Sequence, residues 1–509
     1  MGKFLKKFFT LSILLIFVAI STFSLSGCTK SEVEKVSKGL TNYNFEIEYN
    51  DETKQIFGTE NLDYKNTTGT ELENLCFHLY PRAFRKGAMV KPYTPLTMAT
   101  CFPNGESFGD ISIASVKVNG NEKPIEMIGE DEDVLSINFG FKLEVNGKVN
   151  IEIKFVLTIP NCTHRLGYFN GNINIGNWYP IVCEFVDGKF DLSPYYSTGD
   201  PFFSDIANYE VNFSYPSKYV LCSTGTIETK TNGEKTTTKI NAKAVRDFAM
   251  CLSENSKIVS TIVGGTTINY MGYATDSNLE KCLQISADAV KYFSSTFGEY
   301  PYASLSVVKT PFIYGGMEYP NVVYISDSID DEIEYYKVIV HEIAHQWWYG
   351  IVGNNEVTES WLDESLAEYS TALFFEHNQN YGVSYDDFVQ SAVSSYLLYV
   401  DVIKTIRGEV NTKMNLKLNE YQNDYEYSYM VYVKGVIMFD SLRQAVGEKK
   451  LVQGLKKYYQ SNKFKIATKN DFYSAFKSAC HTDLDGFFDG YLNGTAIISS
   501  ISWQILFRF

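Results

Sequence analysis

The stretch "VIVHEIAHQWWYG", residues 338–350, governs the interpretation of the whole chain. It places two of the six histidines, His341 and His345, around Glu342 in an otherwise apolar and aromatic run. Acidic residues at positions 331, 332 and 334 favour a helix start, so we expect residues 331–349 to be helical. In a helix the two histidines lie on one face, one turn apart, and Glu342 is rotated from His341 by about 100°.

This H-E-x-x-H spacing is typical of a zinc site in which both histidines are ligands and the glutamate reaches a metal-bound water. The alternative is a pair of core histidines packed among aromatic residues. A chance pair with the required glutamate is expected in fewer than about one in a hundred chains of this composition. We therefore predict one zinc ion per chain.

A catalytic zinc needs a third protein ligand and an open fourth position. The segment "EVTESWLDESLAEYS", residues 356–370, offers four carboxylates on an expected helix: Glu359, Asp363, Glu364 and Glu368. Spacing alone does not choose among them, because the shape of the intervening loop is unknown. No further histidine is well placed, so two histidines and a carboxylate are favoured over three histidines.

The composition limits the function classes. The chain has 509 residues and a formal charge of -15. Such an acidic protein is a poor candidate for binding nucleic acid, since that affinity rests on neutralising phosphates. The length is too great for a single core, and we expect more than one domain.

The first 27 residues have the layout of a secretory signal, with lysines in "MGKFLKKFF" followed by an apolar run that ends at "LSGC". This segment resembles a bacterial lipoprotein signal, which implies cleavage before Cys28, lipidation of that cysteine and a tether over residues 28–40. An uncleaved membrane anchor is the alternative, since about 18 apolar residues could just span a bilayer. Both place the protein outside the cytoplasm, at the cell surface or the periplasmic face of a membrane.

Residues 41–265 are expected to form a β-rich domain, either a sandwich or a large open sheet. Alternating strands and the hairpin signals at 119–120, 146–147 and 232–233 favour this fold. From residue 266 the period becomes helical between a few strands, which predicts an α+β, mainly helical domain over 266–485. Residues 486–509 form a tail whose role is open.

The chain resembles the aminopeptidase N family of zinc metallopeptidases, the gluzincins. The likeness begins with H-E-x-x-H, 18 further residues and the glutamate of "WLDESLAEY". It extends in family order over the segments "GNWYP" (176–180), "GDPFFSDIANYEV" (199–211), "GEYPY" (298–302), "GGMEYP" (315–320) and "YVKG" (432–435). The resemblance implies a β-rich N-terminal domain followed by a thermolysin-like catalytic domain.

The resemblance also implies residue roles. The zinc ligands would be His341, His345 and Glu364, and Glu342 would be the general base. Tyr432 would stabilise the oxyanion that develops on the substrate. The substrate-binding segment would comprise Gly315, Gly316, Met317 and Glu318, with Glu318 holding the free amine.

Two features depart from the family pattern. Tyr319 stands where the family usually has asparagine after the substrate-binding glutamate. The large C-terminal helical domain of most members is expected to be absent, which predicts a more open site.

Three functions are compatible with these residues. The leading hypothesis is a membrane-tethered zinc aminopeptidase that cleaves the N-terminal bond of peptides at the outer membrane face, using zinc-activated water and a glutamate base. The others are a zinc endopeptidase of different specificity and a catalytically silent peptide-binding lipoprotein.

Overall fold

A computed structural model describes residues 32–498 of the chain. The lipidation candidate Cys28, the signal segment 1–27 and residues 499–509 lie outside the described residues. Within residues 32–498 no helix is long and apolar enough to cross a membrane. The prediction of a β-rich N-terminal part followed by a mainly helical part is confirmed.

An eight-stranded mixed sheet is the largest element of the N-terminal part. Most of its strands alternate between buried and more exposed positions, as in Asn42–Asn50, which buries Tyr43, Phe45, Ile47 and Tyr49 on one face. In spatial order the strands are Thr226–Asn232, Lys235–Val245, Ala207–Pro216, Asn42–Asn50, Gln55–Lys65, Lys148–Thr158, Asp110–Val118 and Asn121–Lys123.

Two of the three predicted hairpin turns join paired strands. The prediction at residues 146–147 is wrong, because this turn connects Val134–Leu143 to Lys148–Thr158, which lie in different sheets. Asn119 and Gly120 both have positive φ, of 48° and 81°, which the two-residue turn between Asp110–Val118 and Asn121–Lys123 requires. Gly233 also has a positive φ, of 61°, between Thr226–Asn232 and Lys235–Val245.

Smaller sheets pack against the large one. One contains Val220–Ser223, Met250–Ser253, Asn172–Ile175 and Leu166–Phe169; a second contains Ile181–Val182, Leu72–His78, Val134–Leu143 and Glu126–Ile128; a third pairs Phe185–Val186 with Lys189–Phe190. Short helices lie at Tyr80–Phe84, Met98–Cys101 and residues 32–36.

A five-stranded sheet begins the second part. Its strands are, in spatial order, Ser256–Val263, Thr266–Tyr273, Ser304–Thr310, Val322–Ser326 and Gly316–Met317. The first two strands form a hairpin, and the predicted domain boundary at 265/266 falls in its turn. By sheet membership the second part therefore begins near residue 256.

Helices make up most of the remainder. They are Leu279–Thr296, Glu332–Ala344, Glu356–Glu359, Glu364–His377, Tyr385–Arg407, Asp424–Ser428, Lys434–Val446, Glu448–Asn462, Lys469–Cys480 and Asp485–Leu492, with single turns at Ser360–Leu362, Gln379–Tyr381 and Leu418–Glu420, and a π-helical turn at Tyr429–Val433. A two-stranded sheet pairs Val352–Gly353 with Lys465–Ile466. Asp485–Leu492 falls in the predicted tail, where its Phe488 packs on Phe472 with ring centroids 5.3 Å apart.

Arg246 joins the two parts of the molecule. Its guanidinium is buried and donates hydrogen bonds to the carbonyls of Tyr349 (2.9 Å) and Lys465 (2.5 Å). Gly353 lies so close that a Cβ there would be 2.2 Å from the guanidinium carbon. The strand Val352–Gly353, which follows the helix Glu332–Ala344, is thereby fixed to the N-terminal part.

Glu60 lies at a buried position of the strand Gln55–Lys65, and we expect it to make the stability of the fold depend on pH. Both carboxylate oxygens are buried and lack a hydrogen-bond partner among the described residues, and burial raises the pKa of Glu60 well above its usual value. The folded state then binds a proton that the unfolded chain releases, so stability falls as pH rises above about 4.5. We expect Glu60→Met to stabilise the fold at pH 8 by about 1–3 kcal/mol, and by less at pH 5, in denaturant titrations.

The matched control is Glu46→Met on the neighbouring strand, where the carboxylate faces solvent and little change is expected. Equal destabilisation by Glu60→Met at both pH values would contradict the assignment of Glu60 as an uncompensated buried acid.

Candidate metal centre and cavity

Two helices bring the metal-binding side chains together. Glu332–Ala344 begins at Asp331, whose side chain accepts hydrogen bonds from the backbone N–H groups of Ile333 and Glu334. This helix ends at Ala344, five residues earlier than predicted, because the chain turns at residues 345–350 and Tyr349 adopts a φ of 117°. The N–H of His345 still donates to the carbonyl of His341 at 3.2 Å, so the one-turn relation between the histidines holds.

Three donor atoms converge between Glu332–Ala344 and the start of Glu364–His377. His345 Nε2 lies 3.0 Å from His341 Nε2 and 3.0 Å from Glu364 Oε2, and His341 Nε2 lies 3.3 Å from the same oxygen. Donors around a tetrahedral zinc, with bonds of about 2.0–2.1 Å, are separated by about 3.3 Å. The two nitrogens and one oxygen therefore fit a zinc ion in both type and spacing.

The structure separates the four candidate carboxylates that sequence spacing left open. Glu364 is the one that contacts both histidine Nε2 atoms. Glu368 instead accepts a hydrogen bond from His341 Nδ1 at 2.7 Å. Asp363 accepts from the backbone N–H of Glu364, and Glu359 accepts from the backbone N–H of Lys469.

Both histidines are oriented through their outer nitrogens. His341 Nδ1 donates to Glu368, and His345 Nδ1 donates to the carbonyl of Trp348 at 3.0 Å. Such bonds fix the ring and leave the Nε2 atoms to face the metal position. The sequence did not predict that Glu368 orients His341 through this hydrogen bond.

The triad is electrostatically suited to a cation. Burial raises the pKa of Glu364, but its contacts with His345 and His341 outweigh that effect and bring the pKa well below its usual range. Burial lowers the pKa of His345, yet Glu364 and Glu318 raise it to about 10. Negative charge around the two rings thus favours a positive charge at this position, which a bound metal ion supplies.

Glu342 lies beside the triad but is not part of it. Its Oε2 is buried and has no hydrogen-bond partner among the described residues. Burial raises the pKa of Glu342 to about 7, with Glu364 adding and the two histidines opposing. Gly316 packs directly against this carboxylate, since a Cβ there would be 2.4 Å from Glu342 Oε1.

Glu318 reaches the same space from the sheet edge. Its Oε1 is buried without a hydrogen-bond partner in residues 32–498, and its backbone carbonyl accepts from Gln346 Nε2 at 3.3 Å. Tyr319 points the other way, is fully buried, and donates to Asn177 Oδ1 at 2.6 Å. Gly176 makes room for the ring, because a Cβ there would be 2.1 Å from the phenol oxygen. Tyr319 therefore fastens the Glu318 segment to the N-terminal part.

Tyr432 is the tyrosine of its crowded segment that contacts a triad residue. Its hydroxyl donates to Glu364 Oε1, and its ring stacks on His341 with centroids 5.7 Å apart. Burial, together with Glu364, raises the pKa of Tyr432 well above its usual value, so the phenol is a neutral donor.

A cavity of about 370 Å³ opens over these groups. Gly315, Gly316 and Glu318 line it with the triad, Glu342 and Tyr432, whereas Met317 does not and instead accepts a hydrogen bond from Arg165 Nε. Asp200 also lines the cavity, and one of its carboxylate oxygens lies within 4.8 Å of those of Glu318 and Glu364. We did not identify Asp200 or its ion-pair partner Arg165 from the sequence, although Asp200 lies in the segment 199–211.

Comparisons with known proteins identify the domain. Residues 281–491 match the model described as the peptidase family M1 domain. Aminopeptidase N of Lactobacillus helveticus is 25% identical over 405 residues, which are 74% of this chain and 45% of that protein. Leucine aminopeptidase 2 of Aspergillus fumigatus is 24% identical over 416 residues, 78% of this chain and 63% of that protein. The chain thus spans less than two thirds of either relative's length.

Solved structures agree on the fold. The M1 zinc metallopeptidase from Deinococcus radiodurans superposes with a TM-score of 0.62 at 13% identity, over 90% of this chain and 94% of that chain. A mutant of that enzyme is described as bound to a Tyr-Ser-Ala substrate. The predicted family is confirmed for the domain over residues 281–491, and the His341, His345 and Glu364 group there could hold the predicted zinc ion. The roles of single residues and the lipid anchor stay predictions.

Metal content tests the triad. We expect about one zinc per purified chain, lost in His341→Ala, His345→Ala and Glu364→Ala because each removes a donor. Glu342→Gln should keep its zinc, since Glu342 lies outside the triad, and Glu368→Gln should weaken zinc affinity by about 10- to 100-fold. Elemental analysis and chelator competition measure both quantities. Full zinc occupancy in Glu364→Ala would contradict the assigned third ligand.

Proposed function

Because residues 281–491 belong to the peptidase family M1 domain, we propose that this protein is a zinc aminopeptidase that releases single residues from the free N-termini of peptides. The curated relatives are aminopeptidases, which supports this activity. Since the chain spans only part of their length, the bond cleaved and the substrate are inferred from its own cavity.

The unpaired carboxylate of Glu318 carries the proposal. It is buried, it faces the metal triad, and Oε1 lacks a hydrogen-bond partner among the described residues. A peptide α-amine, with a pKa of about 7.7–8.0, is largely cationic near pH 7 and supplies a charge-assisted hydrogen bond. An amine held there leaves the first peptide bond nearest the metal position, and orientation then selects that bond.

The remaining cavity residues have roles that fit hydrolysis. A zinc ion held by His341, His345 and Glu364 would supply Lewis acidity that makes water acidic enough to lose a proton near neutral pH. Glu342 lines the cavity, and its Oε2 has no hydrogen-bond partner among residues 32–498, so it is placed to accept that proton and pass it to the leaving amine. Tyr432 transfers its hydrogen bond from Glu364 to the oxygen of the scissile carbonyl as negative charge develops there.

A comparison of free and N-acetylated peptides tests the activity. Acetylation removes the positive charge and adds bulk beside Glu318, so we expect kcat/KM to fall by about 10- to 100-fold or more. Glu318→Ala should lose most of this discrimination and keep its zinc, and Glu342→Gln should be inactive on both peptides with its zinc retained. The measurements are product release by mass spectrometry and zinc content.

The alternative functions give different results in the same experiment. Equal cleavage of free and acetylated peptides, with internal bonds cut, would replace the proposal by a zinc endopeptidase. Peptide binding without hydrolysis by the zinc-loaded protein would favour the silent binding protein.

We further infer that the enzyme is tethered outside the cytoplasm through Cys28. The support is the sequence of residues 1–28 alone, with its lysines, apolar run and terminal cysteine. Cys28→Ser should lose fatty-acid labelling and retain the N-terminal segment. Unchanged membrane association of an uncleaved, unlabelled wild-type chain would favour the plain anchor.

A further inference from the structure

One end of the cavity carries more negative charge than the α-amine of a substrate can balance. Asp200 pairs with Arg165, whose guanidinium is buried and lies 5.2 Å from the centroids of both Phe202 and Tyr314. Glu318 is the proposed partner of the amine. A further acid, Asp424, lines the same cavity and forms no ion pair with any described residue.

Asp424 is held in place but keeps acceptor capacity. It is the first residue of Asp424–Ser428, a short helix capped by Asn423, whose Oδ1 accepts from the N–H of Glu426 at 3.0 Å. Asp424 Oδ1 accepts a hydrogen bond from the Thr198 hydroxyl at 2.6 Å. An ionised carboxylate accepts about four hydrogen bonds, so this contact leaves room for a cationic donor.

Aromatic side chains also line the cavity that contains Asp424. The rings of Tyr314 and Tyr427 line this end of the cavity. Gly199 allows Tyr427 to approach, since a Cβ there would be 3.1 Å from the ring carbon that bears the hydroxyl. Aromatic faces of this kind pack against the methylene stem of a lysine or arginine while its charged end extends beyond them.

The spacing also suits a long side chain. Thr198, which contacts Asp424, is two residues from Asp200, and two residues span at most about 7 Å. The side chains of lysine and arginine reach a similar distance from Cα. We therefore expect a residue whose amine lies at Glu318, beside Asp200, to extend its terminal charge toward Asp424.

We propose that Asp424 makes this enzyme selective for peptides whose first residue is lysine or arginine. The proposal rests on the proposed aminopeptidase function and adds the substrate class. Asp424 acts on the side chain of the first residue, whereas Glu318 acts on its amine. The two carboxylates thus recognise two charges on one residue.

The sharpest test compares arginyl and citrullinyl coumarylamides, because citrulline has nearly the shape of arginine without its charge. We expect the wild-type enzyme to favour arginine over citrulline by about 10-fold or more in kcat/KM. Asp424→Asn should bring this ratio near one by lowering kcat/KM for arginine, and Asp424→Glu should retain a preference for arginine. The matched control is Glu420→Gln, which removes one charge four residues away, outside the cavity.

Binding provides a readout that does not depend on turnover. Zinc-loaded Glu342→Gln should bind Arg-Gly-Gly more tightly than citrullinyl-Gly-Gly, and the added Asp424→Asn substitution should abolish the difference. Equal kcat/KM for arginine and citrulline in an enzyme that hydrolyses both would overturn the selectivity and leave the aminopeptidase function standing. Preferential binding of Arg-Gly-Gly without hydrolysis would support Asp424 recognition and overturn the proposed activity.

Discussion

Buried negative charge is the constraint on which the site depends. Six carboxyl groups are largely shielded from solvent around the metal position: Asp200, Glu318, Glu342, Glu356, Asp363 and Glu364. Burial and mutual repulsion raise the pKa of most of them, whereas the two histidines hold Glu364 ionised. Arg165 compensates Asp200 alone. Such a cluster is stabilised by cations, and a zinc ion and a peptide amine are the cations that we propose bind there.

The N-terminal part contributes to the chemistry as well as to the fold. It supplies Asp200 and Arg165 to the cavity and Asn177 to the phenol of Tyr319. Gln346 extends the same connection, because its side chain donates to the carbonyls of both Glu318 and Tyr319. The helix Glu332–Ala344 and the segment that carries Glu318 are thus held together by contacts from both parts of the chain.

The sequence predicted most of what is local. H-E-x-x-H spacing places two ligands on one helix face because helical geometry is the same in every protein, and strand alternation predicts the large sheet. The choice of Glu364 among the four candidate carboxylates required the family resemblance. Spacing alone could not make it, because the chain between Gln346 and Asp363 turns several times before the helix of Glu364 begins. Asp200 and Arg165 lie more than a hundred residues from the motif, and no periodicity relates them to it. The early end of the metal-site helix depends on contacts of the following loop with Arg246, which are equally distant in sequence.

The contacts of Tyr319 and Arg246 between the two parts of the molecule determine whether the peptidase domain could function separately. Without the N-terminal part, Tyr319 would lose its acceptor and its niche above Gly176. The carbonyls of Tyr349 and Lys465 would lose the guanidinium that satisfies them. The helices that carry the candidate zinc ligands therefore depend on contacts with the N-terminal part. Evolutionary recombination that moved the peptidase domain without the N-terminal part would transfer the candidate ligands. It would not transfer the contacts at Asn177 and Gly176 that position the segment carrying Glu318.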